Sequence, residues 1–148
     1  MYLALSRDDA ERIITHDDVY PYVRDDGSVE PHEYKIPDGV ICLVVYDPEP
    51  VACSIFYPRN SITYEIHTQT LPDGRSDSFR YGRLMLAWIW ENIVVEKLVA
   101  TIPADNRKAL LYTLKIGFEI EGICPDSFIR DGKTINQTHI GISRPKDK

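Results

Sequence analysis

The stretch IPADNRKALLYTLKIGFEIEG, Ile102 to Gly122, reads as the end of a strand, a capped helix, a tight glycine turn and the start of a new strand. Pro103, with its fixed φ and no N–H, breaks out with Ala104 and Asp105 from the apolar run Lys97 to Ile102 before a helix begins. Ala109, Leu110, Leu111 and Leu114 recur at helical spacing, which leaves Arg107, Lys108 and Lys115 to solvent. Gly117 stops this helix, because a glycine just past the last turn goes left-handed and satisfies the end carbonyls. Phe118, Ile120 and Gly122 then alternate with Glu119 and Glu121 as in a strand.

Upstream, Met1 to Leu5 suits a short strand, and Ser6 with Asp9 caps a helix from Arg7 to about Thr15. From His16 to Pro37 the chain is polar, broken by Pro21, Gly27, Pro31 and Pro37, and carries Tyr20, Tyr22 and Tyr34. That pattern predicts a long ordered loop, with or without a short helix, whose tyrosines suit a contact surface or a substrate lid. Val40 to Tyr46, Val51 to Tyr57 and Ser61 to Thr70 follow as an antiparallel meander joined by turns at DPEP and PRN. LPDGRSDS is a loop, Phe79 to Asn92 an apolar-rich helix, and Lys97 to Ile102 a strand capable of parallel pairing. Thr134 to Ile142 is predicted to pair with Phe118 to Gly122 across CPDSFIRDGK, and residues 143–148 to form a frayed tail. The order of meander, helix, strand, helix and hairpin gives a single α/β domain, 1–148, with a sheet of mixed direction.

The 148 residues, 43% of them hydrophobic, are enough for one domain with its own core. A formal charge of −6 argues against a general nucleic-acid binder, which needs a basic face. No apolar run reaches membrane-spanning length and MYLALSRDDAER lacks the pattern of a secretory signal, so a cytoplasmic, non-membrane protein is expected. Cys42, Cys53 and Cys124 sit in strand-like surroundings without CxxC or histidine-paired spacing, so buried thiols are expected and a metal site is not.

With Asn106, Ala109, Lys115, Gly117, Phe118 and Gly122 in this order, the opening segment resembles the C-terminal half of the GNAT N-acetyltransferase superfamily. The resemblance extends more loosely from Val40 to Arg144. It implies a GNAT-like α/β fold, a mixed and mostly antiparallel central sheet flanked by helices. It also implies acetyl-CoA as cofactor, with Asn106 and the helix after it beside the acyl-CoA.

Such an acyltransferase needs a backbone cradle for pyrophosphate, a base for the amine and an acid for the thiolate. The family's cradle has the form Gln/Arg-x-x-Gly-x-Gly/Ala, and no register of the run Asp73 to Leu84 restores both small positions. Starting at Arg75 puts Ser78 and Arg80 there, whereas starting at Asp77 keeps Gly82 but puts Arg80 at the first. The cradle is therefore degenerate, and Arg75, Ser78 and Arg80 are left to face phosphates with their side chains. The family's usual acid, a tyrosine seven residues after the asparagine, is Thr113 here. Tyr112 lies one residue earlier, rotated by about 100° around the helix, and is a weak substitute. Glu65 and His67, two apart on the strand leading to the cradle, project from one face and are the candidate base.

Two readings remain open. Short GNAT-like proteins of tailed bacteriophages look similar, with an EIH and LP stretch, here Glu65 to His67 and Leu71-Pro72, and an IPxxNRxA stretch, here Ile102 to Ala109. That resemblance implies a non-catalytic role in virion or head assembly through contacts with phage structural or assembly proteins, in the host cytoplasm or on the particle. The departures at Arg80 and Thr113 favour it. The alternative is an acetyl-CoA-dependent N-acetyltransferase acting on a small-molecule or protein amine.

Overall fold

A computed structural model describes residues 1–146. Seven strands among the described residues form one sheet in the order β1-β2-β3-β4-β5-β7-β6. They are β1 (Tyr2–Leu5), β2 (Ile41–Tyr46), β3 (Pro50–Pro58), β4 (Thr63–Thr70), β5 (Lys97–Pro103), β6 (Glu119–Arg130) and β7 (Lys133–Ser143). Four helices accompany them: α1 (Arg7–Ile14), α2 (Tyr20–Val23), α3 (Ser78–Asn92) and α4 (Arg107–Lys115). Every neighbouring pair is antiparallel except β4 and β5, which run parallel on either side of the α3 crossover. The architecture is the mixed, mostly antiparallel α/β arrangement expected from the order of elements.

The central strands are buried on both faces, and their alternation divides one run of apolar residues between two cores. Leu43, Val45, Ala52, Phe56 and Ile66 meet Met85 and Ile89 of α3, together with Leu98, Phe118 and Ile140. Cys42, Val44, Cys53 and Ile55 point the other way, onto Ala10, Ile13 and Ile14 of α1 and onto Tyr20 and Ile36. Ser6 starts α1 by accepting a hydrogen bond from the Asp9 amide at 3.2 Å, which places that apolar face on the sheet.

Two local expectations are corrected. The segment CPDSFIRDGK is not a loop between strands, because β6 continues through it to Arg130. Only Asp131 and Gly132 make the turn, both at positive φ (53° and 76°), as a two-residue hairpin of this hand requires. An irregularity between Cys124 and Phe128 absorbs the proline and aspartate that make the segment look loop-like. The start of the expected tail, Ser143 and Arg144, is held in place. Ser143 ends β7, and the Arg144 guanidinium donates to the carbonyls of Val95 (2.8 Å) and Ile93 (2.9 Å) while lying over the Trp90 ring. Residues 147 and 148 of the expected tail lie outside the described residues. The region between His16 and Pro37 contains α2 and a short 3-10 turn at Pro31–Glu33.

Candidate functional site

Strands β4 and β5 pair over only three positions, Thr63 with Lys97, Tyr64 with Leu98 and Glu65 with Val99. Beyond them the strands diverge. Residues 66–70 stay with β3 and residues 100–103 stay with β7, so each segment turns an edge toward the gap. Backbone N–H and C=O groups on such an edge are available to a ligand that lies between the strands. The gap is a groove of about 210 Å³, walled by Ile66 to Gln69 and Ala100 to Pro103 and completed by Asn106, Ala109, Tyr112 and Thr113 of the α4 segment.

The packing of α4 follows from its ends. Asn106 caps it, its side-chain oxygen accepting from the Ala109 amide at 3.2 Å. At the other end Gly117 takes φ +118°, and the amides of Gly117 and Phe118 donate back to the carbonyls of Leu114 and Thr113. Between these ends Tyr112 turns toward α3. Its ring stacks on Phe79 at 5.3 Å, and its hydroxyl donates to the Ser78 carbonyl at 2.9 Å. A Cβ on Gly82 would sit 2.1 Å from that hydroxyl, so the small residue in the α3 sequence makes room for Tyr112. Burial pushes the Tyr112 phenol up to about 12, with the charge of Arg83 opposing, and the group stays protonated at neutral pH. The Thr113 hydroxyl donates to the Leu110 carbonyl at 2.8 Å.

Of the four residues expected beside a cofactor, Asn106 lines the groove, whereas Arg75, Ser78 and Arg80 lie outside its lining around the start of α3. Arg75 reaches away to the Asp18 carbonyl at 3.1 Å, Ser78 receives Tyr112, and Arg80 is exposed.

On the opposite face of β4, Glu65, His67 and Gln69 line a cavity of about 530 Å³. His67 Nε2 lies 2.6 Å from Glu65 Oε2, and Arg59 closes on Glu65 Oε1 at 3.2 Å. The hydrogen bond from His67 holds the Glu65 carboxyl below its ordinary value against the opposing effect of burial, and the charges of His67 and Arg59 add to it. An ionised carboxylate only accepts, so Nε2 carries the proton and the Nδ1 lone pair is left free in the neutral ring. The Tyr57 ring stands edge-on to the imidazole at 5.6 Å. Tyr20, Tyr34, Tyr57 and Ile55 form the apolar part of the cavity, and Arg24 borders it. Cavity and groove share His67, Gln69 and Val23, so the imidazole stands where the two meet.

Glu65 and His67 come together as their spacing implies; Tyr57, Gln69 and Arg24 are additions. The period of two that pairs Glu65 with His67 also reaches Gln69, and could have found it. Arg24 carries no such signal. Its loop is held by Arg130, 106 positions away, which donates to both Asp105 carboxylate oxygens at 2.7 Å and to the carbonyls of Tyr22 (2.9 Å) and Arg24 (3.2 Å).

No family model matches the sequence, and no curated protein matches it. Solved structures do match over nearly the whole chain. A GNAT-family acetyltransferase from Bacillus anthracis superposes with TM-score 0.75 at 14% identity, covering 99% of this chain and 97% of the other. The chain has the GNAT fold. Spermidine N-acetyltransferase from Vibrio cholerae, in complex with CoA and spermine, matches with TM-score 0.75 at 15% identity over 96% and 95% of the two chains. An N-acetyltransferase from Staphylococcus aureus matches with TM-score 0.72 at 12% identity over 97% and 98%. The splay of β4 and β5 thus belongs to a GNAT fold, one of whose solved examples holds CoA.

Proposed function

We propose that this chain is an acyl-CoA-dependent N-acyltransferase that acetylates an amine held above Glu65 and His67. The observation that carries the reading is the shared wall: His67 lines both the groove between β4 and β5 and the cavity on the α1 side of the sheet. A donor in one and an acceptor in the other would meet at a base.

The groove fits an extended thioester arm, because it is largely apolar and edged by the side of residues 66–70 that faces away from β3 and has no β5 partner. Asn106 and α4 would flank the arm. Phosphates would lie at the start of α3 beside Ser78 and the exposed Arg80, and Arg75 would have to leave the Asp18 carbonyl to join them. Acetyl-CoA supplies an activated carbonyl and departs as the thiol. Glu65 holds the His67 tautomer, and Nδ1 receives a proton from the ammonium form of the acceptor. Amide formation removes a second proton from that nitrogen, and this one ends on the thiol sulfur as the C–S bond breaks and the N–C bond forms. Tyr112 lines the groove as a phenol kept protonated, with its hydroxyl directed at Ser78.

A non-catalytic assembly role draws its support from the departures at Arg80 and Thr113. The open groove and the ordered Glu65–His67 pair favour the enzyme. Calorimetric titration with acetyl-CoA decides between them. Micromolar binding, about −8 kcal/mol, weakened in Arg80→Ala and accompanied by CoA release with an amine panel, is expected. Absence of heat and of thermal shift at millimolar ligand sinks the enzyme reading and returns the search to phage proteins.

A further inference from the structure

The cavity of about 530 Å³ on the α1 side of the sheet is polar at one end, where Glu65, His67 and Gln69 line it, and apolar in its body. Ile14 of α1 and Ile55 of β3 close its base and are 4% and 3% exposed. Tyr20, Tyr34 and Tyr57 form walls around them. The polar ends of these tyrosines are engaged. The Tyr20 hydroxyl donates to the Val29 carbonyl at 2.5 Å, and the Tyr34 and Tyr57 hydroxyls interact with each other. Burial pushes all three phenols up, so the walls carry no charge near neutrality.

Two sets of contacts hold this shape. Tyr20 stands edge-on to Tyr34 at 6.1 Å, as Tyr57 does to the His67 ring at 5.6 Å. The outer segment is tied to the β6–β7 hairpin: Asp26 accepts from the Asp131 amide at 2.8 Å and the Gly132 amide at 2.9 Å, and Arg130 donates to the carbonyls of Tyr22 and Arg24. A preformed apolar cavity takes up an apolar body without first ordering its own walls. Its charges are few. Glu65 is the one acid on the lining among the described residues, and its carboxylate is already paired with His67 and Arg59. A second cation carried into the cavity would lose its water and find no carboxylate.

We infer that the acceptor is a primary monoamine with a compact apolar body, aromatic or aliphatic, its nitrogen at Glu65 and His67 and its body among Ile14, Ile55 and the three tyrosines. An aryl group meets tyrosine rings edge-on or offset, as Tyr20 and Tyr34 already meet each other. Diamines and polyamines are rejected through their second ammonium. The formal charge of −6 attracts cations to the molecule as a whole, but the lining of the cavity selects among them.

The inference deepens the transferase reading and rests on it for the position of the nitrogen, so binding and turnover are read separately. Ethylamine, butylamine, hexylamine, 2-phenylethylamine and 1,6-diaminohexane are titrated calorimetrically with CoA present and absent, then assayed for acetylation with acetyl-CoA. Affinity is expected to rise about fourfold per buried methylene from ethylamine to hexylamine, and 2-phenylethylamine to exceed ethylamine by about tenfold or more. The diamine should fall about tenfold or more below hexylamine. Tyr34→Leu removes one ring and should lower the ratio of 2-phenylethylamine to hexylamine affinity by about 2- to 10-fold. The wild-type series decides by itself if that variant does not fold. Affinity that ignores chain length, or a diamine that binds as well as hexylamine, overturns the inference, as does acetylation confined to polar amines. Length-dependent, diamine-rejecting binding without acetylation keeps the inference and removes the transferase.

Discussion

His67 Nε2 donates to Glu65 Oε2 across 2.6 Å, and this contact joins the two walls of the site on one strand. If the imidazole is the base, His67→Ala lowers kcat/KM by about 10²- to 10⁴-fold while acetyl-CoA binding persists. Retention of full activity, or loss of acetyl-CoA binding in parallel, refutes that role.

The same pair sets a pH dependence of stability. The folded-state pKa of Glu65 is depressed, so its contribution is fully present above the unfolded carboxylate value, about 4.3, and is lost as pH falls through the folded value. Thermal melts of the wild type and Glu65→Gln should therefore lie farthest apart near neutrality and converge in acid. Parallel curves across that range would contradict the assignment.

Gly82 and Tyr112 form a steric lock between α3 and α4. Gly82→Ala places a methyl group 2.1 Å from the phenol oxygen and is expected to destabilise by about 1–3 kcal/mol. Tyr112→Phe removes the bond to the Ser78 carbonyl at a cost of about 0.5–1.5 kcal/mol. Because the clash is with the hydroxyl, the double variant should be more stable than the sum of the two losses. Strict additivity in denaturant titrations would show that the two positions do not touch.

Arg130 ties the loop that borders the cavity to the start of α4, since Asp105 precedes the Asn106 cap and Tyr22 and Arg24 belong to that loop. Arg130→Lys keeps the charge but not the planar fork. It should speed hydrogen exchange between residues 20 and 30 and raise acceptor KM more than kcat falls. An unchanged exchange pattern would mean that the loop holds without the fork.

Gly117, at φ +118°, admits other residues only with strain. Gly117→Ala should cost about 1 kcal/mol or more, increased by the approach of its methyl group to Ile142 at 3.3 Å. A neutral substitution in thermal melts would mean that the turn relaxes to negative φ.

Local chemistry in the chain determined a good deal by itself. Pro103, the Asn106 cap and Gly117 delimit α4 because caps and left-handed turns depend on residues a few positions apart. Apolar runs bounded by turn residues delimit β2 and β3, and the two-residue period of a strand puts Glu65 and His67 on one face of β4, for the same reason. The tertiary structure decided the rest. Neither strand's own sequence reveals that β4 and β5 part after Glu65, because the divergence comes from competition by β3 and β7 for the two segments. CPDSFIR reads locally as loop, yet pairing with β7 makes it strand. Tyr112 settles on Gly82, Arg24 on the cavity and Arg130 on the loop that borders it through contacts spanning 30 to more than 100 residues. Such contacts depend on how whole elements pack, a property that no short window of sequence contains.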